Sequence, residues 1–411
     1  MGIEKIQYNK EEYTQMISLM RLNPEKSDKQ KDYLTLLNDN IRSFKFYNDL
    51  LTGTPKIAVL FEDVGNQEIP KYKPDGYAFI ILQIVDTIAD TKEEITMSLS
   101  FTLQSIKIVN QKTESTVYEL TGNSFYESYL NAQMLYSSKG VKSTTKIVEE
   151  MLKNGKYPFE PDKKLTHATS KTFYISPVNS TLGDCIDNIL SYTVSQETGL
   201  YYVMHHMLSD KAKIISLKDV YKQLKIGTYN YVLIPTKESF APLEISLMDL
   251  DSQQFVGGND FYDLTNNMTL NNFDYLNRQW STDKYTFKRV DEISPNFKKQ
   301  GYEKIYKEIP KLMSNKIRKT QEVMPIQYSK LREQVHKLST FSDTIQFKTM
   351  GNLKRDVGEL ILIDCENDNL KNRFYCFWLI QRIYHKFEGG QYTNEIIAVR
   401  TDESPTIYRN V

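Results

Sequence analysis

The stretch that most restricts what this chain can fold into runs from Thr344 to Arg400. It opens with Thr344-Ile345-Gln346-Phe347-Lys348-Thr349-Met350, in which polar and apolar residues alternate. A period of two sends successive side chains to opposite faces of a strand. A turn at Gly351-Asn352 leads to Val357-Gly358-Glu359-Leu360-Ile361-Leu362-Ile363. The polar loop Asp364 to Arg373 then leads to an unbroken apolar and aromatic run, Phe374 to Ile380. The strand pattern continues through Ile383, His385 and Phe387 to a tight turn at Gly389-Gly390, and Tyr392 to Arg400 returns as a further strand. Strand-like runs broken by Gly, Asn and Asp clusters predict an antiparallel meander. Such a sheet must close, or have its edges covered by partners, because bare edges recruit other chains. No catalytic motif falls inside the block, which points to architecture rather than chemistry.

The chain has 411 residues, enough for two to four domains of about 100 to 150 residues each. Lys plus Arg and Asp plus Glu both number 52, so the net charge is zero. A protein that grips nucleic acid through its phosphates carries a basic excess, and none exists globally. No run approaches the roughly 18 apolar residues that a membrane-spanning helix needs, and the first residues carry no signal-peptide core. The three cysteines, Cys185, Cys365 and Cys376, read as reduced thiols of a chain folding in cytoplasm. Cys365 and Cys376 are placed where a hairpin can bring them face to face.

Before the closing block, Lys10 to Arg21 reads as a helix, with Tyr13, Met16, Ile17 and Met20 at i, i+3, i+4 and i+7. From Ile41 the period changes. Ile41 to Leu51, Lys56 to Glu62, Tyr77 to Val85, Ile95 to Leu103 and Thr116 to Thr121 read as strands of a first β-domain. Turn residues at Thr52-Gly53-Thr54-Pro55 and Val64-Gly65-Asn66 separate some of them. Thr145 to Asn154 and Thr181 to Ser195 are amphipathic helices, the second behind an Asn179/Ser180 cap. Leu200 to Met207 returns as a strand, and Ser216-Leu217-Lys218-Asp219 resembles a capping box for a short helix to Leu224. Tyr229 to Pro235 and Leu243 to Met248 are further strands. Gly257 to Asn277 reads as a long loop, and Tyr302 to Lys337 as a basic, largely helical connector.

The motifs of catalysis are missing from the sequence. His205 and His206 are adjacent in an expected strand, so they point to opposite faces and do not share a metal. Asp249-Leu250-Asp251 begins like a calcium loop, but Gln253 stands at a ligand position and the turn glycine is missing, so Asp249, Asp251, Asp260 and Asp263 read as a solvated acidic loop. Gly257-Gly258 and Gly389-Gly390 lack the Lys-Ser/Thr or helix that a phosphate cradle requires. The basic stretch Lys298 to Lys337 reads as a solvated connector, with contact to an acidic partner or nucleic acid as its functional alternative. The sequence therefore assigns no catalytic residue, metal or cofactor.

Two stretches, taken in order, resemble the baseplate hub proteins of phage tails, a family related to late control D proteins and to the hub part of type VI secretion spikes. The first comprises Phe173-Tyr174-Ile175-Ser176-Pro177, the helix from Thr181, Gly199-Leu200-Tyr201-Tyr202-Val203 and Ile215-Ser216-Leu217. The second runs from Trp378 through His385-Lys386-Phe387, Gly389-Gly390 and Tyr392-Thr393 to Arg400, preceded by Arg355-Asp356-Val357-Gly358. The resemblance implies an α+β, β-rich fold with two tail-tube-like antiparallel β-barrel domains and α/β and connector segments between them. Its boundaries are 1–122 for the N-terminal helical segment and first barrel, 123–224 for the α/β segment, 225–340 for the connector region and 341–411 for the second barrel.

The same resemblance implies a homotrimeric hub, not an enzyme, in a phage tail baseplate assembled in the host cytoplasm. Three subunits with two tube-like domains each would adapt a sixfold tail tube to a threefold spike and let DNA pass without specific binding. Its partners would be the tail tube protein, a spike on a separate polypeptide, and surrounding baseplate proteins. Candidate subunit or tube contacts are Phe347, Lys354, Arg355, Trp378, His385 and Tyr392. The alternatives are a hub component of a contractile secretion system and a non-phage β-rich binding module.

Overall fold

The two strand-rich ends of the chain meet in one sheet. The computed structural model describes residues 13–22, 31–74, 78–88, 93–161, 165, 168, 171–190, 193, 201–216, 220, 230–234, 244–246, 252–255, 268–274, 279–285, 315–318, 343–365, 374 and 376–400. The first block holds β1 (Tyr13–Leu22), β2 (Lys31–Leu36), β3 (Ile41–Asp49), β4 (Lys56–Val64), the short helix α1 (Glu68–Tyr72), β5 (Phe79–Ile88), β6 (Glu93–Gln111) and β7 (Ser115–Ser124). Its strands run antiparallel in the order β3–β4–β7–β6–β5–β1–β2. Alternation decides the faces: Ile57, Val59 and Phe61 of β4 are buried, while the residues between them are not. Asp63 is buried at the end of β4 and accepts the N–H groups of Gln67, Glu68 and Ile69, so it satisfies the first turn of α1.

The expected helix over Lys10 to Arg21 is strand β1 instead. It lies between β5 and β2, with Ile17 opposite Leu82 and Leu36, and Leu19 opposite Ile80 and Leu34. Ile17 and Leu19 are fully buried while Met16, a member of the supposed helical stripe, is exposed. Two flanking strands supply backbone partners and apolar contacts that outweigh a local helical pattern.

A small α/β module follows: α2 (Glu127–Leu130), β8 (Lys142–Ser143), α3 (Thr144–Asn154), β9 (Lys171–Thr172), α4 (Leu182–Leu190), β10 (Tyr201–His206) and β11 (Lys211–Ser216). The expected apolar stripe of α3 is present, with Ile147, Val148, Met151 and Leu152 all fully buried against Leu182, Cys185, Ile186 and Ile189 of α4. The cap of α4 sits later than Asn179/Ser180. Thr181 Oγ1 accepts the Asp184 N–H, and the Asp184 carboxylate accepts the Thr181 N–H, which is a reciprocal capping box. β10 and β11 form a two-stranded antiparallel hairpin, the second strand of which the sequence pattern did not isolate.

The remaining strands are β12 (Asn230–Ile234), β13 (Glu244–Ser246), β14 (Ser252–Phe255), β15 (Met268–Asp274), β16 (Gln279–Tyr285), β17 (Asn315–Arg318), β18 (Asp343–Met350), β19 (Leu360–Cys365), β20 (Cys376–Glu388) and β21 (Gln391–Arg400). β15 lies inside the supposed loop Gly257 to Asn277, and β17 inside the supposed helical connector, so both expectations are corrected there. Both strands belong to a separate sheet with β16. Asp249, Asp251, Asp260 and Asp263, most of the basic stretch Lys298 to Lys337, and 217–219 of the supposed capping box lie outside the described residues. The hairpin β19–β20 places Cys376 opposite Ile363, so Cys365 is not its directly facing residue.

Strand β20 is the junction. One of its edges pairs with β21 from Leu379 to Glu388, β21 pairs in turn with β18, and β18 with β14. Its other edge is divided: Cys376 to Leu379 pairs with β19, and Arg382 to Glu388 pairs with β3 of the first block. The β20–β21 turn is the expected Gly389-Gly390 pair, with φ of +58° and +78° between the facing residues Glu388 and Gln391. Two successive positive φ values match the twist of a two-residue hairpin. The β-rich reading is thus correct, with a large, mainly antiparallel sheet. The two blocks share one sheet of 14 strands, and among the described residues no closed barrel is formed.

Candidate functional site

The β3–β20 seam has a dry face and a wet face. Inward, the register sets Phe44 opposite Phe387 and Phe46 opposite His385. Phe44 stacks on Phe387 at 4.3 Å, and Phe387 stacks on Tyr392 of β21 at 4.1 Å, the planes nearly parallel in both pairs. His385 lies flat on Phe46 at 4.6 Å. Outward, Tyr47 faces Tyr384 and Lys45 faces Lys386, whose ammonium is paired with Glu395.

His385 is fully buried, and its Nδ1 accepts from Tyr392 Oη at 2.7 Å and Asn394 Nδ2 at 3.0 Å. The Asn394 Oδ1 in turn accepts Arg355 Nη1 at 2.8 Å and the Asn352 N–H at 2.8 Å. Arg355 Nη1 also donates to the Met350 carbonyl. Burial, with Arg355 nearby, drives the His385 pKa down from 6.5 to about 3, so the imidazole is neutral and its Nδ1 is a bare acceptor. Gly351 lies beneath the same ring stack: its N–H donates to the Tyr392 carbonyl, and a Cβ there would sit 2.3 Å from the Tyr392 ring.

A second polar centre fastens the α/β module to this seam. Asn48 Nδ2, on β3, donates to the His205 carbonyl at 2.7 Å and to Asp356 Oδ1 at 2.9 Å. Asp356 Oδ2 accepts the Met207 N–H at 2.7 Å, and its Oδ1 also accepts the Val357 N–H. The His205 N–H donates to the Gly53 carbonyl at 2.9 Å. Gly53 has φ of +69°, and a Cβ on it would meet the Val203 carbonyl oxygen at 2.9 Å, so no other residue fits. Burial and the neighbouring Asp356 push the Glu359 carboxyl up to about 8. At the rim Arg382 is ion-paired with the buried Asp49.

Inside the module, His205 is held at both nitrogens, by Tyr157 Oη at 3.1 Å and Asp210 Oδ1 at 2.8 Å. Tyr126 stacks on the ring at 4.7 Å and donates to Asp210 Oδ2. Desolvation and the Asp210 charge raise the Tyr126 phenol. A cleft of about 420 Å³ opens beside this cluster, between the Leu50–Gly53 turn, α4 and β10. The described residues gather no group of three or more His, Cys, Asp and Glu fit to hold a metal ion. These polar groups answer one another across three parts of the chain, and in the one hydroxyl–imidazole–carboxylate set, Tyr157–His205–Asp210, both the phenol and the imidazole are buried. The arrangement holds surfaces together.

The six candidate contact residues divide accordingly. Arg355, His385 and Tyr392 come together in the seam network. Phe347 is buried in the sheet core, and Trp378 is buried with its Nε1 donating to the Phe374 carbonyl at 3.0 Å. These five are buried within the chain itself. Lys354 alone is partly exposed. Asn48, Asp356 and Asn394, each inward-facing and polar, were missed. Their signal was a polar residue at a core position of a strand or its adjoining turn.

No protein-family model matches this sequence, and no curated protein matches it. Solved structures do match it in fold. The tail protein from Neisseria meningitidis is 8% identical, with a TM-score of 0.53 over 94% of this chain and 96% of that one. The 43 kDa tail protein of prophage MuSo2 from Shewanella oneidensis is 8% identical, with a TM-score of 0.53 over 95% of this chain and all of the other. The prophage tail protein gp18 from Listeria monocytogenes is 10% identical, with a TM-score of 0.50 over 94% and 95%. Over 94–95% of its length the chain shares the fold of these tail and prophage tail proteins.

Proposed function

We propose that this protein is a structural component of a phage tail baseplate, a homotrimeric central hub that adapts a sixfold tube to a threefold spike. The observation that carries this reading is the two-way coverage: the chain and the tail proteins of like fold match over at least 94% of both lengths. A borrowed domain inside an unrelated protein would not match in that way. Fold likeness alone does not fix function, and the site chemistry points in the same direction. The polar centres at the seam are spent on joining β-blocks and leave no reactive group poised toward solvent.

In this reading residues 1–122 and 341–411 are the two tube-like units, joined through β3 and β20. Residues 123–224 lie outside the tube and meet other baseplate proteins, residues 225–340 add β12, β13 and β14 to the shared sheet, and Lys354 of the last block is a candidate contact. The tail tube, a spike and the surrounding baseplate are the partners, in the virion. Zero net charge suits a channel that DNA crosses without being held. No catalysis or cofactor is assigned. Light scattering and single-particle imaging of the purified protein test the reading. A ring of three 48.0 kDa chains around a central channel is expected. A compact monomer at every concentration and ionic strength overturns it.

A further inference from the structure

The α/β module carries a two-stranded ribbon whose two faces differ. Residues 131–143 run antiparallel to 171–182: Gln133 faces Thr181, Ser137 faces Ile175 and Lys142 faces Thr172. The N–H groups of Met134, Ser176 and Ser138 donate to the carbonyls of Ser180, Tyr136 and Tyr174, which ties the ribbon together. Alternation turns Met134, Tyr136 and Tyr174 inward, onto the core that α3 and α4 build. Their neighbours point the other way. Of the eleven large apolar residues exposed among the described residues, five lie in this ribbon: Leu135, Val141, Phe173, Ile175 and Val178. Leu135, at 89%, and Val178, at 82%, are the most exposed of the eleven. Apolar side chains gathered on one surface mark a place that a partner covers.

We propose that the outer face of this ribbon is the docking site for an amphipathic helix of another protein, with an apolar stripe flanked by carboxylates. The inference rests on the reading above, in which this module meets other baseplate proteins. Charge and dimensions single out the occupant. The two segments hold three lysines, Lys139, Lys142 and Lys171, and no acidic residue. A partner that covers Leu135 and Ile175 must therefore bring its own negative charge to the rim. An isologous contact between two copies would set these lysines against one another. An anionic lipid surface is recognised by clusters of about four to eight basic residues, and here Lys142 is already paired with Glu150. Two strands about 5 Å apart present a face about 10 Å wide, which is the diameter of one helix. From Gln133 to Val141 the ribbon is about 26 Å long, the span of about 18 helical residues. Helices already pack on the ribbon's inner face, so a helix on the outer one completes a layered arrangement.

The experiment titrates the full-length protein into two fluorescent synthetic helices of about 18 residues, which share one Leu stripe and carry either Glu or Lys beside it. Anisotropy should show the Glu helix binding at least tenfold more tightly than the Lys helix. Leu135→Ser/Ile175→Ser should weaken the Glu helix at least tenfold, with circular dichroism unchanged because both side chains are exposed. Lys139→Glu/Lys171→Glu should reverse the preference. Ile108→Ser/Val109→Ser, at exposed apolar residues of the first block, is the control and should bind as the wild type does. Absence of binding, equal binding of the two helices, or indifference to the serine pair overturns the proposal. So does a serine pair that breaks up the assembled particle, which gives the face to a second copy, or one that abolishes sedimentation with phosphatidylglycerol vesicles, which gives it to a lipid surface. The mass of the wild-type particle scores the hub reading separately: a persistent monomer overturns that reading, while the two helices still decide the ribbon.

Discussion

Asn48 Nδ2 lies 2.9 Å from Asp356 Oδ1, across 308 positions of sequence, and both residues are buried. The same amide nitrogen also donates to the His205 carbonyl, so one side chain bridges the first block, the α/β module and the last block. Asn48→Ala leaves a buried carboxylate and a buried carbonyl short of a donor, at a cost of about 3 kcal/mol. Urea denaturation followed by fluorescence, to which the buried Trp378 contributes, should show the midpoint falling by that measure. Asn48→Asp should cost more, because it sets a second carboxylate against Asp356. A shift within the error of the wild-type midpoint for both variants would remove Asn48 from its bridging role.

The strand meander of the closing block was legible because its cues are local: the alternation from Thr344 to Met350, the Gly389-Gly390 turn and the apolar run ending at Ile380. Both module helices were legible for the same reason. The seam was not. Asn48 looks like a surface polar residue until the β3–β20 register places it inside, and Asp356 until the turn before β19 buries it against Met207. Met16 and Ile17 were misread because one short segment satisfies two periods, and only the pairing with β5 and β2 selects between them. The burial of Trp378 and Tyr392 was not legible either, since large aromatics suit interfaces and cores equally and local sequence does not separate the two.

His385 gives the fold a dependence on acid. In the unfolded chain its imidazole takes a proton as pH falls through 6.5, whereas in the folded chain it stays neutral to about 3. Between those values the unfolded state binds more protons, so stability falls as pH falls. His385→Phe keeps a flat ring against Phe46 but abolishes this proton uptake. The variant should be less stable near neutrality, because Tyr392 Oη and Asn394 Nδ2 lose their acceptor, and its stability should slope less steeply between pH 6.5 and 3. Parallel curves for the two proteins would assign the acid sensitivity elsewhere.

Glu359 acts in the opposite sense. Its carboxyl, raised from 4.5 to about 8 by burial and Asp356, keeps a proton in the fold that it loses in the unfolded chain. The folded state therefore binds more protons between those values, and stability falls as pH rises through them. Glu359→Gln preserves the shape with no charge to expose, so the variant should gain on the wild type as pH climbs from 4.5 to 8. Thermal midpoints taken across this range test it, and a constant difference at every pH would show that Glu359 does not titrate in the seam.

Two glycines of the closing block separate packing from backbone strain. At Gly389 φ is +58° and a Cβ would meet nothing within 4 Å, so Gly389→Ala costs only the left-handed conformation, about 1 kcal/mol. At Gly351 a Cβ would lie 2.3 Å from the Tyr392 ring. That ring cannot yield freely, since it stacks on Phe387 and donates from its hydroxyl to His385. Gly351→Ala should therefore cost more, about 2 to 3 kcal/mol, and should disturb the aromatic stack as well. Near-ultraviolet circular dichroism should change for Gly351→Ala and stay constant for Gly389→Ala, with urea midpoints in the same order. If the two substitutions are equally costly, the ring stack at the β3–β20 seam is looser than its geometry implies, and the junction between the blocks rests on backbone pairing alone.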